Sequence, residues 1–399
     1  MTLTIDPAGM LEELFPDMVA WRRHLHRNPE LSYKEERTSS WIAAQLRSIG
    51  GCEVREAVGG YGVIASFRGS ARGPAVALRA DIDALPIRDE KTVEYASTVE
   101  GAMHACGHDA HTAALLAVAR CYAGLNGAFA GERRLLFQPA EEVPPGGARA
   151  MIEAGALEGV DAIYGVHLWT PLPFGTVATR AGAFMAAADE YTIEITGRGG
   201  HGGLPHETVD AIVAGSAVVQ AVQTVVSRNV SPLQPAVVSI GTFHAGTAEN
   251  VVAERCEMKG TMRTFDAGVR DGIRSRLARI VADCAAVYGA EGKLTFREGY
   301  PPVVNDAREA ERFFRVAEAS FGSEAVRESD PIMAGEDFSF YLNRVPGCFM
   351  FVGAGGAACG AVYPHHHPRF DLDERAMLKS ARLLIAMAED YAEEAVRKP

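Results

Sequence analysis

The chain has 399 residues, 48% of them hydrophobic and 23% charged, with a formal net charge of −12 at pH 7. That length exceeds what one ordinary hydrophobic core encloses, so two domains are expected, and the composition excludes a disordered chain. The acidic balance excludes nucleic acid and anionic membranes as partners, because binding phosphate draws on clustered Lys and Arg, and it leaves small molecules and other proteins.

The stretch Met1–Met10 lacks a basic start, an apolar core and a small-residue cleavage site, so no signal peptide is expected, and no run of 18 apolar residues predicts a membrane span. Seven cysteines, at Cys52, Cys106, Cys121, Cys256, Cys284, Cys348 and Cys359, are odd in number and scattered. This pattern fits reduced thiols in a cytoplasmic protein.

In chain order, Val19, Trp21 and Leu25 and then the run from Thr38 to Ile49 predict two helices, parted by the turn Arg27-Asn28-Pro29-Glu30. Short apolar strands follow at Tyr61 to Phe67 and Ala75 to Ala80, the second leading into Asp81-Ile82-Asp83. Next comes Met103-His104-Ala105-Cys106-Gly107-His108-Asp109-Ala110-His111, three histidines and a cysteine within nine residues, just before a helix expected from Asp109 to about Leu125. The dipole of that helix would favour the Cys106 thiolate, the form that binds metal. A strand at Arg134 to Phe137 precedes Gln138-Pro139-Ala140-Glu141-Glu142, and another at Ala162 to Val166 leads into His167. Alternation of strands and helices predicts an α/β fold whose first domain has a mostly parallel sheet. Ligands gather at the carboxyl ends of such strands, where Asp81, Glu141, Glu142 and His167 are all expected.

Near Ala188 the texture changes to the alternation of Tyr191 to Thr196, then the glycine-rich Gly197 to Gly203 around His201. A helix at Thr208 to Arg228, strands at Val237 to Phe243 and Glu257 to Thr264, a helix at Gly268 to Tyr288 and a strand at Lys293 to Glu298 complete a split βαβ pattern. We read residues 188–298 as an inserted ferredoxin-like α+β domain, and 1–187 with 299–399 as the first domain. The first domain resumes with a helix over Arg308 to Phe321, a strand at Cys348 to Val352, the run His365-His366-His367 and a last helix from Glu374 to about Val396.

Adjacent carboxylates at a strand end, Glu141 and Glu142, suit a division in which one binds metal and its neighbour handles protons. Cys106, His108, Glu142, His167 and one of the three consecutive histidines make five ligands from four segments, more than one tetrahedral zinc takes. Two metals sharing a ligand is the economical reading, and a thiolate can bridge. Two other readings are open: Cys106 as a nucleophile activated by His104 or His108, and a binding protein without catalysis.

The motifs Arg79-Ala80-Asp81-Ile82-Asp83-Ala84-Leu85-Pro86, His104-Ala105-Cys106-Gly107-His108-Asp109, Gln138 to Glu142, Gly165-Val166-His167, Gly199-Gly200-His201-Gly202, Gly335-Glu336-Asp337-Phe338 and His366 to Phe370 occur in order. Together they resemble the amidohydrolase branch of the aminoacylase and carboxypeptidase metallopeptidases, which includes hippurate hydrolase and the indoleacetyl-amino-acid hydrolases. The resemblance implies Cys106 as the shared metal ligand, His108, Glu142, His167 and His366 as the others, and Glu141 as catalytic base. Relatives in the wider clan carry a metal-binding histidine where this chain has Arg79, which makes Asp81 a group that orients a ligand.

By the same resemblance the chain is a binuclear hydrolase of N-acyl amino acids such as hippurate-like, N-acetyl or indoleacetyl compounds, the alternative being a dipeptidase or carboxypeptidase. Two divalent ions per subunit are implied, zinc, manganese, nickel or cobalt. His201 is the expected donor to the oxyanion, supplied by the small dimerisation (lid) domain of a partner, so a homodimer or higher homo-oligomer is expected. Arg263 matches a family position that meets a substrate carboxylate, and Asn250 is a donor to the carbonyl or carboxylate.

Overall fold

The computed structural model describes residues 7–356 and 360–397, so Cys359 and most of the stretch that bears on a signal peptide lie outside the described residues. The chain forms two compact units, one of Met1–Phe184, Val304–Asp330 and Asp337–Pro399, the other of Met185–Val303 and Pro331–Glu336.

The first unit is built on an eight-stranded sheet. Its strands are β1 (Glu53–Val58), β2 (Gly62–Arg68), β3 (Ala71–Asp81), β4 (Ala130–Gln138), β5 (Ala162–Pro173), β6 (Val177–Thr179), β7 (Val326–Glu328) and β8 (Gly347–Gly355), in the order β1-β2-β4-β3-β5-β8-β6-β7. The central run β4-β3-β5-β8 is parallel. Every residue of β8 is buried, which is why it reads as a continuous apolar run with no alternation. By contrast β1 pairs only with β2 and is mostly exposed. Its polar sequence carries no strand signal, and it was not expected.

Helices α1 (Pro7–Arg27), α2 (Glu36–Ile49) and α3 (His108–Gly124) and the later helices Ala307–Phe321 and Ala376–Arg397 belong to the same unit. Helix α3 is the most enclosed, with Ala110, Ala113, Ala114, Leu116 and Ala117 fully buried in the main core. Its N-terminus follows Gly107, whose φ of 95° is left-handed. A Cβ there would also lie 3.3 Å from Leu372 Cδ2, a tight contact, but it is the positive φ that calls for glycine.

One expectation is corrected here. Strand β5 does not end before His167 but continues to Pro173, with His167 opposite Phe351 and Leu168 opposite Val352 in β8. The apolar Leu168 and Trp169 keep the strand going, and the neighbouring β8 supplies its hydrogen bonds.

The second unit has a four-stranded antiparallel sheet in the order Ala236–Ala245, Arg255–Thr264, Ala187–Thr196, Glu291–Tyr300. With helices Ala211–Asn229 and Ala267–Val287 this is the ferredoxin-like β-α-β-β-α-β arrangement, the first and third strands central. Tyr191, Ile193 and Ile195 alternate into a core shared with Val218, Val222, Leu277 and Val281. Asp210 Oδ1 caps the first helix by accepting from the amides of Ile212 and Val213. By length and composition alone that helix could cross a membrane; its face of Ala214, Val218, Val222 and Val225 packs in this core instead.

The unit's edges differ from the expected 188–298. Six residues, 331–336, return to it, because the Ala186 amide donates to the carbonyls of Ile332 and Ala334. No periodicity in Pro331 to Glu336 announces this.

Candidate metal centre

Four segments of the first unit converge beside the N-terminus of α3. The Sγ of Cys106 and ring nitrogens of His108 and His167 lie within 4.8 Å of one another, and so do donors of Cys106, Glu142 and His366. Cys106 is common to both sets.

The hydrogen bonds behind each ring say which atom faces the centre. His108 Nδ1 lies 2.9 Å from the carbonyl oxygen of Asp83 and 3.2 Å from its Oδ1, so Nδ1 carries the proton and Nε2 points inward. His167 Nδ1 faces the Leu168 carbonyl at 3.0 Å, which leaves Nε2 3.4 Å from Cys106 Sγ. An acceptor behind a ligating imidazole fixes its tautomer and raises its basicity. The Glu142 amide donates to Asp83 Oδ2 at 3.0 Å. Glu142 Oε1 then stands 3.4 Å from His366 Nε2 and 3.7 Å from His108 Nε2. His366, with a φ of 65°, is tied back by its amide to the carbonyl of Ala105.

These donors fit a bound cation. His108 Nε2 and Glu142 Oε1 are buried without a hydrogen-bond partner, a costly state unless an ion completes them. Burial works against a charge on His108, but Asp81, Asp83 and Glu142 outweigh it and raise its pKa to about 10. Burial, then the charges of Glu142, Glu141 and Asp81, push the Cys106 thiol well above its usual range. Burial and these carboxylates oppose the helix dipole that was expected to favour the thiolate. A dipole contributes on the order of 1 kcal/mol, whereas burying an uncompensated charge costs several, so the thiolate depends on a cation beside it.

Three neighbouring histidines are engaged elsewhere. His111 accepts from the Leu168 amide through Nε2 at 2.9 Å and donates from Nδ1 to Asp81 at 2.7 Å, so neither nitrogen is left for a metal. His365 accepts from the Thr170 amide and stacks on Trp169, while His367 accepts from the Arg369 amide and stacks on Tyr363. Of the run of three, His366 alone joins the donor sets. Asp81 accepts from Arg79 at 2.7 Å and from His111, as an orienting group does. Asp83 was missed: it holds both the His108 ring and the Glu142 backbone, and its only signal in the sequence was its place two residues after Asp81. Glu141 is 6% exposed and shares a donor set with His108 and Glu142.

The remaining expected residues lie in the second unit. His201 is exposed on a short ladder opposite Val251. Its Nδ1 accepts from the Gly203 amide at 2.9 Å, which leaves the Nε2 hydrogen free to donate. Asn250 adjoins it, its carbonyl accepting from the Gly202 amide at 2.8 Å. Arg263 stands in the strand Arg255–Thr264 opposite Ala188, half-buried, and burial lowers its pKa.

Comparison with known proteins matches residues 77–390 to peptidase family M20/M25/M40. The chain belongs to this family. It is a hydrolase of the family's amidohydrolase branch. It is 47% identical over 390 residues to YhaA of Bacillus subtilis, covering 98% of both chains. An N-acyl-L-amino acid amidohydrolase of Geobacillus stearothermophilus is 46% identical over 296 residues, 74% of this chain and 80% of that one. The crystal structure of Bacillus subtilis YxeP, described as a dinuclear metal binding peptidase of family M20, superposes with a TM-score of 0.82 at 34% identity, covering 96% of this chain and 99% of that one.

Proposed function

We propose that this M20 hydrolase cleaves N-acyl amino acids to a carboxylic acid and a free amino acid, with two divalent ions bound per subunit. The observation that carries this reading is the pair of donor sets sharing Cys106, with a second carboxylate, Glu141, beside them. Cys106, His108 and His167 would hold one ion, and Cys106, Glu142 and His366 the other. Thiolate, imidazole and carboxylate together suit zinc, nickel, cobalt or manganese. Bound there, the ions supply positive charge that polarises an amide carbonyl and acidifies water.

Glu141 acts as the base. Its carboxylate takes a proton from the attacking water and returns it to the amine nitrogen as the C–N bond breaks. His201 donates its Nε2 hydrogen to the oxyanion, and Arg263 and Asn250 bind the substrate carboxylate. His201 comes from the second unit of a partner chain in a homodimer. In support, the strand Ala236–Ala245 is an edge of its sheet, and the adjoining helix exposes Ile212 and Val213. The second unit is thus a dimerisation and lid domain. The free state of Cys52, Cys106, Cys121, Cys256, Cys284 and Cys348 supports a cytoplasmic location.

The test is a hydrolysis screen of N-acetyl, N-benzoyl and indoleacetyl amino acids, with dipeptides alongside, on protein loaded with each ion. Turnover of acylated amino acids above dipeptides is expected, with loss on chelation and recovery on re-addition of metal. Preference for dipeptides would move the assignment to a dipeptidase or carboxypeptidase, and activity that survives chelation would move it to a Cys106 nucleophile.

A further inference from the structure

The strand-end loop that presents Glu141 contains an unusual residue. Ala140 is fully buried with a φ of 53°, a left-handed conformation that residues with a Cβ avoid. The loop reverses there, between Pro139 and the two glutamates. Its amide donates to Glu35 Oε1 at 2.8 Å, and its carbonyl accepts from Gly147 at 3.0 Å.

Glu35 comes from a distant turn before α2, and it is itself completely buried. The same Oε1 accepts from the Tyr33 amide at 3.0 Å, while Oε2 has no partner. Other side chains of this turn hold the same loop, Tyr33 directly and Ser32 through Asp83. The Tyr33 hydroxyl donates to the Val143 carbonyl and accepts from the Gly146 amide. Ser32 donates to Asp83 Oδ2, the oxygen that receives the Glu142 amide. A buried carboxylate with one oxygen spent on two amides and the other unpartnered is poor economy for stability alone, and burial with the nearby Asp83 raises its pKa to about 7.

We propose that Glu35 is a positioning residue for Glu141: its Oε1 holds the Ala140 amide in the left-handed turn that aims the base. This rests on the reading of Glu141 as base. What matters is the reach of the acceptor and not the charge.

Two conservative variants separate these. Glu35→Gln keeps the reach and loses the charge, whereas Glu35→Asp keeps the charge and falls short by one carbon–carbon bond, about 1.5 Å. A misplacement of about 1 Å near a reacting group costs on the order of a hundredfold in rate. Glu35→Asp is therefore expected to lower kcat about a hundredfold, and Glu35→Gln less than about threefold, with KM and metal content unchanged in both. Equal kcat in the two variants, a larger loss in Glu35→Gln, or loss of bound metal in Glu35→Asp would overturn the proposal. Crystal structures of both variants give a readout free of turnover. Ala140 should leave its left-handed conformation in Glu35→Asp and keep it in Glu35→Gln, and an unmoved Ala140 in Glu35→Asp would also overturn it. A wild-type protein inactive on every amide would instead defeat the assignment of Glu141 and leave this structural comparison standing.

Discussion

Replacing Arg79 by methionine should destabilise the first unit by about 3 kcal/mol, and the structure gives the terms. Arg79 is 2% exposed and donates to Asp81 at 2.7 Å, Asp337 at 2.9 Å and Gln138 at 2.8 Å. Methionine refills much of the aliphatic stem, so the loss is chiefly that of the cation, which leaves two buried carboxylates without it. Breaking a buried ion pair from one side costs about 3–5 kcal/mol. The lower end applies because each acid keeps other donors: Asp81 the ring of His111, and Asp337 the amides of Gln138 and Ala148. For large domains each kcal/mol moves the melting temperature by about 2–4 °C, so a fall of roughly 6–12 °C is expected. Tryptophan fluorescence during urea unfolding reads this unit selectively, since Trp21, Trp41 and Trp169, the three tryptophans of the chain, all belong to it. If stranded charge is the cause, adding Asp337→Asn to Arg79→Met should recover about 1 kcal/mol or more. A cost below about 1 kcal/mol for Arg79→Met, or no recovery in the double variant, would refute the reasoning.

Glu141→Gln should abolish hydrolysis while elemental analysis finds the metal content of the wild type; loss of the metal as well would make Glu141 a ligand. His201→Ala should lower kcat on the order of a hundred- to a thousandfold by removing one oxyanion donor, and near-normal turnover would dismiss that role. Mixing these two inactive variants tests whether sites are shared. Half the dimers formed at random are mixed, and one of their two sites has both groups intact if His201 acts across the dimer, so about a quarter of wild-type activity should return. No recovery would place His201 in the same chain as the Glu141 it serves.

Much of the architecture was legible because burial leaves periodic marks. The apolar runs of β3, β5 and β8 and the alternation of Tyr191 to Ile195 announce a parallel sheet and a half-buried antiparallel one. What escaped lacks such marks: the polar edge strand Glu53–Val58 and the return of Pro331 to Glu336, held by tertiary contacts alone. The donor set divides along the same line. Residue type and spacing bring Cys106, His108, Glu142 and His167 into view, yet only the resemblance of the surrounding motifs separates His366 from His365 and His367, or His108 from His111. Those choices turn on what each ring's other nitrogen meets: Asp83 behind His108, and Asp81 and the Leu168 amide at either end of His111. Each of those partners comes from a strand or strand end more than 20 residues away in sequence. The left-handed turn at Ala140 is hidden more deeply still, since alanine gives no hint of positive φ and its stabilising acceptor lies 105 residues earlier. A motif therefore announces which chemistry is available, while the hydrogen bonds behind it decide which atoms are free to perform it.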